Sequence, residues 1–279
     1  MRIHAVPQFQ GAMTPRAPGL PDGCRALAEL AGRVLDVPVI TVEQSAETSP
    51  REDGVSNRAI LTGPNLAAQR AAIAGVDGAL LTIGGDCGVE FEPIRVMRER
   101  FGAGLGVAWF DAHPDLKTPE AAHDGAYHAM VLAGLLGESD PALTAAPPVD
   151  RDKVALVGAR AAIPAEKDMI ARGMGTETED PAAVLADATH VYVHVDVDVL
   201  DPSQFQGHNM PEPDGLTIDR LVEMLSSLRG LNVVGAGITE CVGSPAEVEV
   251  LTPVIAALGA LLRPQAGSPD SSTPAPAGR

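Results

Sequence analysis

Residues 191–202 read VYVHVDVDVLDP, a largely apolar run that ends in two aspartates at alternate positions. Runs of β-branched and aromatic residues without regular polar alternation are typical of strands buried on both faces of a parallel sheet. Alternate side chains of an extended segment share one face, so Asp196 and Asp198 are predicted to converge where the strand ends. Open α/β sheets place their functional sites at that edge. His194, inside the run, is expected to be a core histidine.

Similar apolar runs recur along the chain, with helix-length segments between them. The predicted strands cover residues 2–6, 38–42, 78–83, 105–110, 154–157, 191–195 and 233–238. The predicted helices cover residues 24–35, 64–75, 93–101, 126–136, 182–188, 218–228 and 246–262. Strands that alternate with helices indicate βαβ units and a three-layer α/β/α domain. We predict one domain over residues 1–263 and a disordered tail rich in Pro, Ser and Ala over residues 264–279.

The composition excludes several classes of protein. The 279 residues include 37 acidic and 20 basic side chains, and the net charge of −17 repels phosphate backbones and anionic membranes. We therefore expect no nucleic-acid partner and no membrane partner. Cys24, Cys87 and Cys241 are few and far apart, which favours a reducing compartment over a disulfide framework. The sequence shows no signal-peptide pattern and no apolar stretch of about 18 residues, so a cytoplasmic location is predicted.

Polar motifs follow four of the predicted strands. They are GGDCG (84–88), DAHPD (111–115), DVDVLDP (196–202) and GITECVG (237–243). A single D-x-D is commonly a turn or a cap, but two carboxylate pairs at the ends of buried strands would repel each other unless cations lay between them. Four aspartates balance the charge of two divalent ions, and oxygen ligands with a single imidazole suit Mn²⁺ better than a softer ion. The spacing therefore predicts a metal site.

Together, the four motifs resemble those of the arginase/agmatinase family of ureohydrolases, in the same order and spacing. The resemblance extends from the first predicted strand to about residue 262. It implies the arginase-like three-layer α/β/α sandwich around an eight-stranded parallel sheet and a centre of two Mn²⁺ ions. It also implies hydrolysis of an amidino C–N bond, with residues 1–263 as a single catalytic domain.

The resemblance assigns the metal-ligand positions residue by residue. Five of them carry the family's side chains: Asp111, His113, Asp115, Asp196 and Asp198. The family has a second ligand histidine directly after GGD, where this sequence has Cys87. A thiolate is a softer ligand than an imidazole, so we predict that Cys87 belongs to a half-site that Mn²⁺ occupies weakly.

Further positions match the family's catalytic groups. His128 matches its proton-shuttling histidine, and Glu240 matches the glutamate that pairs with the guanidinium of the substrate. Asp115 is a second group that could deliver a proton. An ionisable group inside the apolar stretch VVGAGITECV is costly to bury unpaired, which independently supports a cationic ligand for Glu240. Asp86 and Asp201 match residues that orient the metal ligands.

The positions that hold the amino-acid end of the substrate are altered. Where arginases have Asn, Ser, Asn and Asp, this sequence has Lys117, Asp124, Ala126 and Ile163. The glutamate that follows the last of these positions is retained as Glu166. We therefore predict a changed substrate preference, with plain L-arginine disfavoured. The predicted substrate-binding residues are Lys117, Asp124, Glu166 and Glu240.

An altered metal half-site together with an altered amino-acid clamp resembles one branch of the family. This branch hydrolyses N-omega-hydroxy-L-arginine to hydroxyurea and L-ornithine in D-cycloserine biosynthesis. An N-hydroxy group withdraws electrons from the guanidine carbon, so a weaker hydroxide-generating centre suffices. Two alternatives stay open: an ordinary arginase or agmatinase that tolerates Cys87, and a metal-poor, inactive homologue that acts as a binding protein. Retention of His113, His128, Glu240 and the four aspartates argues against the last alternative.

The C-terminal residues bear on assembly. Arginases often form trimers through an ordered C-terminal segment. The Pro/Ser/Ala-rich composition of residues 264–279 does not favour such packing. A weak assembly or a monomer is therefore expected.

Overall fold

An eight-stranded parallel sheet forms the middle layer of the computed structural model, which describes residues 1–263. Its strands are β1 (Arg2–Val6), β2 (Val39–Thr41), β3 (Leu80–Gly84), β4 (Leu105–Phe110), β5 (Val154–Val157), β6 (Thr176–Glu177), β7 (His190–Asp196) and β8 (Val233–Thr239). They lie in the order β2-β1-β3-β8-β7-β4-β5-β6, and every pair is parallel. The arginase-like eight-stranded sheet expected from the resemblance is confirmed.

Helices cover both faces of the sheet. They are α1 (Leu20–Leu35), α2 (Arg58–Ile60), α3 (Leu66–Ala74), α4 (Phe91–Phe101), α5 (Val131–Leu135), α6 (Pro164–Ala171), α7 (Pro181–Val184), α8 (Ile218–Ser227) and α9 (Thr252–Leu262). One apolar core contains Leu27 of α1, Leu225 of α8 and Leu258 of α9, and a second contains Ile94 of α4 and Leu132 of α5. The two cores confirm the three-layer sandwich. Within residues 1–263, no helix is long and apolar enough to cross a membrane.

The apolar pattern predicts most of these elements correctly. All seven strands that it predicts are confirmed, with small shifts at their ends. The pattern does not predict β6, which consists of two exposed residues, or the short helices α2 and α6. The helix predicted over residues 126–136 is a 3₁₀ turn (Tyr127–Met130) followed by the short α5. The predicted tail over residues 264–279 lies outside the described residues.

The strand order explains how motifs that are far apart in the sequence meet. The four central strands, β3, β8, β7 and β4, are neighbours in the sheet. Each ends in one of the four polar motifs. Because parallel strands place their carboxyl ends on one edge, the motifs lie together there.

Candidate active site

Hydrogen bonds link the aspartate motifs that follow β4 and β7. Asp111 directly follows β4, and Asp196 is the last residue of the neighbouring β7. Asp111 Oδ1 accepts the His113 N–H at 2.6 Å, and Asp196 Oδ1 accepts the Asp198 N–H at 2.7 Å. Asp198 Oδ1 accepts the Ala112 N–H of the other motif at 3.0 Å. The two motifs are therefore held against each other through their own carboxylates.

Burial and mutual repulsion change the protonation of these carboxylates. They raise the pKa of Asp115 and of Asp196 well above the ordinary value, and that of Asp198 to about 6. His113 Nδ1 lies 3.0 Å from Asp198 Oδ2. Although burial opposes the charged ring, hydrogen bonds to Asp111 and Asp198 raise the pKa of His113 to about 11. A cluster of carboxylates this close together is suited to hold cations.

The donor atoms of this cluster fall into three overlapping groups. In each group the donor atoms lie within 4.8 Å of one another, and the members are Asp111, His113 and Asp198; Cys87, Asp111, Asp115 and His194; and Cys87, Asp196 and Glu240. All six predicted metal ligands belong to these groups. Asp115 Oδ2 is buried and has no hydrogen-bond partner among residues 1–263. Carboxylate oxygens with imidazole nitrogens fit divalent ions at this edge of the sheet.

Cys87 points into this cluster from the turn that follows β3. Its Sγ lies 3.3 Å from Asp196 Oδ2 and 3.1 Å from Thr239 Oγ1. Its N–H donates to Glu240 Oε1 at 2.8 Å. Burial and the surrounding carboxylates raise the pKa of the thiol well above its ordinary value. The sulfur thus lies among the predicted ligands, where a nearby cation would favour the thiolate.

Glu240 and His128 form a buried pair beside the aspartates. Glu240 adopts a left-handed backbone conformation with a φ of 64°, and its Oε1 lies 3.0 Å from His128 Nδ1. Asn209 Nδ2 donates to the other oxygen, Oε2, at 2.6 Å. Burial opposes both charges, but the pairing lowers the pKa of Glu240 and raises that of His128. The pairing therefore keeps the Glu240 carboxylate ionised at the position where a cationic substrate group is predicted to bind.

Asp86 and Asp201, predicted to orient the metal ligands, both bind backbone N–H groups. Asp86 is fully buried, and its Oδ2 accepts the Gly11 N–H while its Oδ1 accepts the Gly88 N–H, each at 2.8 Å. It thereby ties the N-terminal loop to the turn after β3. Asp201 accepts the Ser203 N–H at 2.9 Å and shapes the loop that follows β7. These bonds fix the backbone at or next to the motifs, and the role of both residues in orienting the metal ligands stays a prediction.

Comparison with known proteins agrees with this geometry. The family model described as the arginase family matches residues 54–257, most of the chain. The chain belongs to the arginase family. Membership places it among hydrolases that act on amidino C–N bonds.

Three relatives in the arginase family illustrate the extent of the similarity. The arginase of Bacillus caldovelox is 33% identical over 156 residues, which cover 49% of this chain and about half, 52%, of that protein. The arginase of Entamoeba histolytica is 28% identical over 251 residues, 80% of this chain and 84% of that one. The agmatinase of Chromobacterium violaceum is 28% identical over 193 residues, 67% of this chain and 58% of that one.

Solved structures of the first two relatives share the fold. The crystal structure of the Entamoeba histolytica arginase in complex with L-ornithine has a TM-score of 0.79 at 24% identity, over 93% of this chain and 97% of that one. The native structure of the Bacillus caldovelox arginase has a TM-score of 0.80 at 23% identity, over 95% of this chain and 98% of that one. These likenesses show the arginase fold across nearly the whole chain.

A cavity of about 530 Å³ opens over the arginase-family motifs. The lining includes His128 and Glu240 together with Asp115 of the motif after β4 and Asp196 and Asp198 of the motif after β7. Lys117 and Asp124, two of the predicted substrate-binding residues, line the same cavity. The predicted catalytic groups and two groups of opposite charge therefore share one space.

Glu166, the third predicted substrate-binding residue besides Glu240, does not line this cavity. Its Oε1 accepts the Leu116 N–H at 3.2 Å, and its Oε2 accepts the Ile163 N–H at 3.0 Å. The bond to Ile163 caps the first turn of α6, and the bond to Leu116 connects that turn to the loop after β4.

The sequence motifs assign no role to several residues that border the site. Asn209 and Glu212 line the cavity from a loop without periodic pattern, so no sequence signal marks them. His194 is fully buried, as a core histidine would be, but its Nε2 also lies 3.7 Å from Cys87 Sγ. The signal for His194 is its position two residues before Asp196, on the same face of β7.

Proposed function

We propose that the protein is a Mn²⁺-dependent hydrolase that cleaves N-omega-hydroxy-L-arginine to hydroxyurea and L-ornithine, a reaction of D-cycloserine biosynthesis. The observation that carries the proposal is the buried Glu240 carboxylate, which shares a cavity with four of the six predicted metal ligands, His113, Asp115, Asp196 and Asp198. A guanidine-type group paired with Glu240 would have its central carbon beside those ligands. Family membership supports amidino hydrolysis, while Cys87 and the altered cavity wall favour the N-hydroxylated substrate.

The residues present fit a pair of divalent ions, because three donor groups overlap and the Asp115 Oδ2 oxygen is buried without a partner among residues 1–263. The six predicted ligands would hold two Mn²⁺ ions, with weaker binding in the half-site near Cys87. When bound, such a pair of ions supplies a hydroxide nucleophile near neutral pH.

The side chains around the cavity divide the remaining work. Glu240 orients the guanidine end of the substrate. The Glu240 carboxylate is itself held by hydrogen bonds from Asn209 Nδ2 at 2.6 Å and from the Cys87 N–H at 2.8 Å. His128, paired with Glu240, lies on the cavity wall and gives a proton to the departing amine of ornithine. Asp115, on the same wall, is the second group in a position to do so. Proton delivery matters because an amine leaves far more readily in its protonated form.

The outer part of the cavity suits an amino acid. Lys117 and Arg16 offer cations for an α-carboxylate, and Asp124 offers an anion for an α-ammonium group. Agmatine has no carboxylate, so this pattern favours an amino-acid substrate over agmatine. An N-hydroxyguanidine is less often protonated than a guanidine, and its carbon is more open to attack by hydroxide.

A substrate panel tests the proposal. Purified protein with added Mn²⁺ is assayed against N-omega-hydroxy-L-arginine, L-arginine and agmatine, and both products of each reaction are quantified. We expect hydroxyurea and L-ornithine in equal amounts from the first substrate, and neither from an Asp198→Ala control.

An ordinary arginase or agmatinase is the second candidate, because the relatives described above carry those names. Urea release from L-arginine or agmatine at a comparable rate would support it against our proposal. Absence of turnover with all three substrates, in a protein that elemental analysis shows to retain no Mn²⁺, would instead indicate a metal-poor binding protein.

A further inference from the structure

A buried imidazole lies behind Cys87. His194, in the middle of β7, is fully buried, and its ring stacks on Trp109 with the ring centroids 3.7 Å apart. Its Nε2 lies 3.7 Å from Cys87 Sγ and 3.8 Å from Asp111 Oδ2. With Asp115, these residues form the donor group whose ligand atoms lie within 4.8 Å of one another. One nitrogen of the ring therefore faces the predicted metal ligands.

The other ring nitrogen faces a buried carboxylate. His194 Nδ1 lies 3.6 Å from Glu90 Oε2, and Glu90 is itself fully buried. Neither oxygen of Glu90 has a hydrogen bond of normal length to any residue that the structure describes. Burial of an unpaired carboxylate is costly, so this placement calls for a positive or hydrogen-bonding neighbour.

A glycine on the neighbouring strand β8 leaves space for the Glu90 carboxylate. A Cβ at Gly237 on β8 would lie 2.1 Å from both Glu90 oxygens, so only glycine leaves the space free. The ring of His194 thus lies between the predicted metal ligands on one side and the Glu90 carboxylate on the other. Metal-bound histidines usually have this arrangement, in which a carboxylate binds the second ring nitrogen and fixes the ring.

We propose that His194 is a metal ligand that binds through Nε2 and is oriented by Glu90 at Nδ1. The inference rests on the proposed metal-dependent function. His194 would supply the half-site that contains Cys87 with an imidazole from β7, in place of the family's histidine that is missing at position 87. The donor set of thiolate, imidazole and two carboxylates is softer than that of Asp111, His113 and Asp198, so the gain in affinity from Mn²⁺ to Co²⁺ is larger at this half-site.

Metal counting on the full chain tests the ligand directly. Metal-free protein is dialysed against a series of Co²⁺ concentrations, and bound metal is counted by elemental mass spectrometry. Charge-transfer absorption between cobalt and sulfur reports the half-site that contains Cys87. The variants are His194→Gln and Glu90→Gln. His4→Gln is the matched control, because His4 is a buried histidine of β1 that belongs to none of the donor groups.

We expect the wild-type protein to bind an ion in each half-site. Glu90→Gln should weaken the ion near Cys87 by ~10- to 100-fold, the usual effect of losing an orienting partner, and His194→Gln should weaken it further and remove the absorption band. His4→Gln should match the wild type. The ion held by the group containing His113 remains in both variants and, with circular dichroism, shows that they are folded.

Unchanged cobalt affinity and absorption in folded His194→Gln would overturn the inference and leave the metal-dependent function in place. If that variant does not fold, unchanged affinity in Glu90→Gln has the same meaning. A wild-type protein that binds neither Co²⁺ nor Mn²⁺ would overturn the proposed function, and the inference with it.

Discussion

Glu240→Gln keeps the shape of a buried side chain but removes the charge that holds His128 and the guanidine end of the substrate. The carboxylate accepts hydrogen bonds from the Cys87 N–H at 2.8 Å and from Asn209 Nδ2 at 2.6 Å, and it lies 3.0 Å from His128 Nδ1. A hydrogen bond to a charged group contributes about 1.5–3 kcal/mol. Loss of one such bond in the transition state should lower kcat/KM by ~10- to 100-fold.

The same substitution should change the pH dependence of stability in the metal-free protein. Burial opposes both charges, but the pair lowers the pKa of Glu240 and raises that of His128. The stability that ionised Glu240 contributes to the folded state is fully present above the pKa of a glutamate in the unfolded chain, about 4.3. It is lost as the pH falls through the lower pKa of Glu240 in the folded protein. The His128 contribution is complete below its unfolded pKa, about 6.5, and is lost as the pH rises through the raised folded value. The free energy of unfolding of the Glu240→Gln variant should therefore fall furthest below that of the wild type between about pH 4.5 and 6.5. The difference there should be roughly 1.5–3 kcal/mol.

Two measurements check this reasoning. Product release from N-omega-hydroxy-L-arginine gives kcat/KM, and urea denaturation at about pH 5.5 and about pH 8, on either side of the ordinary histidine pKa, gives the free energy of unfolding. Glu29→Gln, which changes an exposed glutamate of α1, is the control and should alter neither quantity. A Glu240→Gln protein with the wild-type kcat/KM, or with the same loss of stability at both pH values, would refute the reasoning.

Four further outcomes are expected. The kcat/KM for N-omega-hydroxy-L-arginine should exceed that for L-arginine by at least ~100-fold, about 2.7 kcal/mol of transition-state stabilisation, and similar values for both would contradict the substrate proposal. Dialysis against a chelator should abolish activity and added Mn²⁺ should restore it, so a dialysed enzyme that is free of metal by elemental analysis and fully active would contradict the metal requirement. Gly237→Ala should lower the free energy of unfolding in urea by about 1–3 kcal/mol, because its Cβ would lie 2.1 Å from the Glu90 oxygens, whereas Gly230→Ala, with nothing within 4 Å, should not. Light scattering should show a monomer or a weak assembly, and a stable trimer lost on deletion of residues 264–279 would contradict this.

The fold follows from sequence wherever burial is complete. The central strands β3, β4 and β7 lie in the middle of the sheet, where both faces are covered, and such strands must be apolar on both sides. β6 lies at the edge of the sheet with two exposed residues, so its sequence carries no apolar signal. Only the family resemblance, which implies eight strands, predicts that an additional strand exists.

The candidate site is harder to predict from sequence where a residue is both buried in the core and in contact with the site. Asp111 and Asp196 end buried strands, and their spacing alone places them at one edge. His194 looks like a core residue because it is one by burial, and only the order of neighbouring strands shows that it meets Cys87. Asn209 comes from a loop whose path depends on tertiary contacts, such as its hydrogen bond to Glu240, and no local pattern encodes that path.

The last strand along the chain, β8, lies between β3 and β7 in the middle of the sheet. Without it, the sheet would be divided into two halves, β2-β1-β3 and β7-β4-β5-β6, and β3 and β7 would each have an unpaired edge in addition to the outer edges at β2 and β6. During synthesis, both halves leave the ribosome before the segment that joins them, so each must keep an edge free for a strand that arrives late. Cys87 on one half and the aspartates on the other come together only when that strand is inserted. A nascent chain that stalls before residue 233 would therefore expose two additional unpaired edges, on β3 and β7, and contain no assembled centre, which makes it a natural substrate for chaperones.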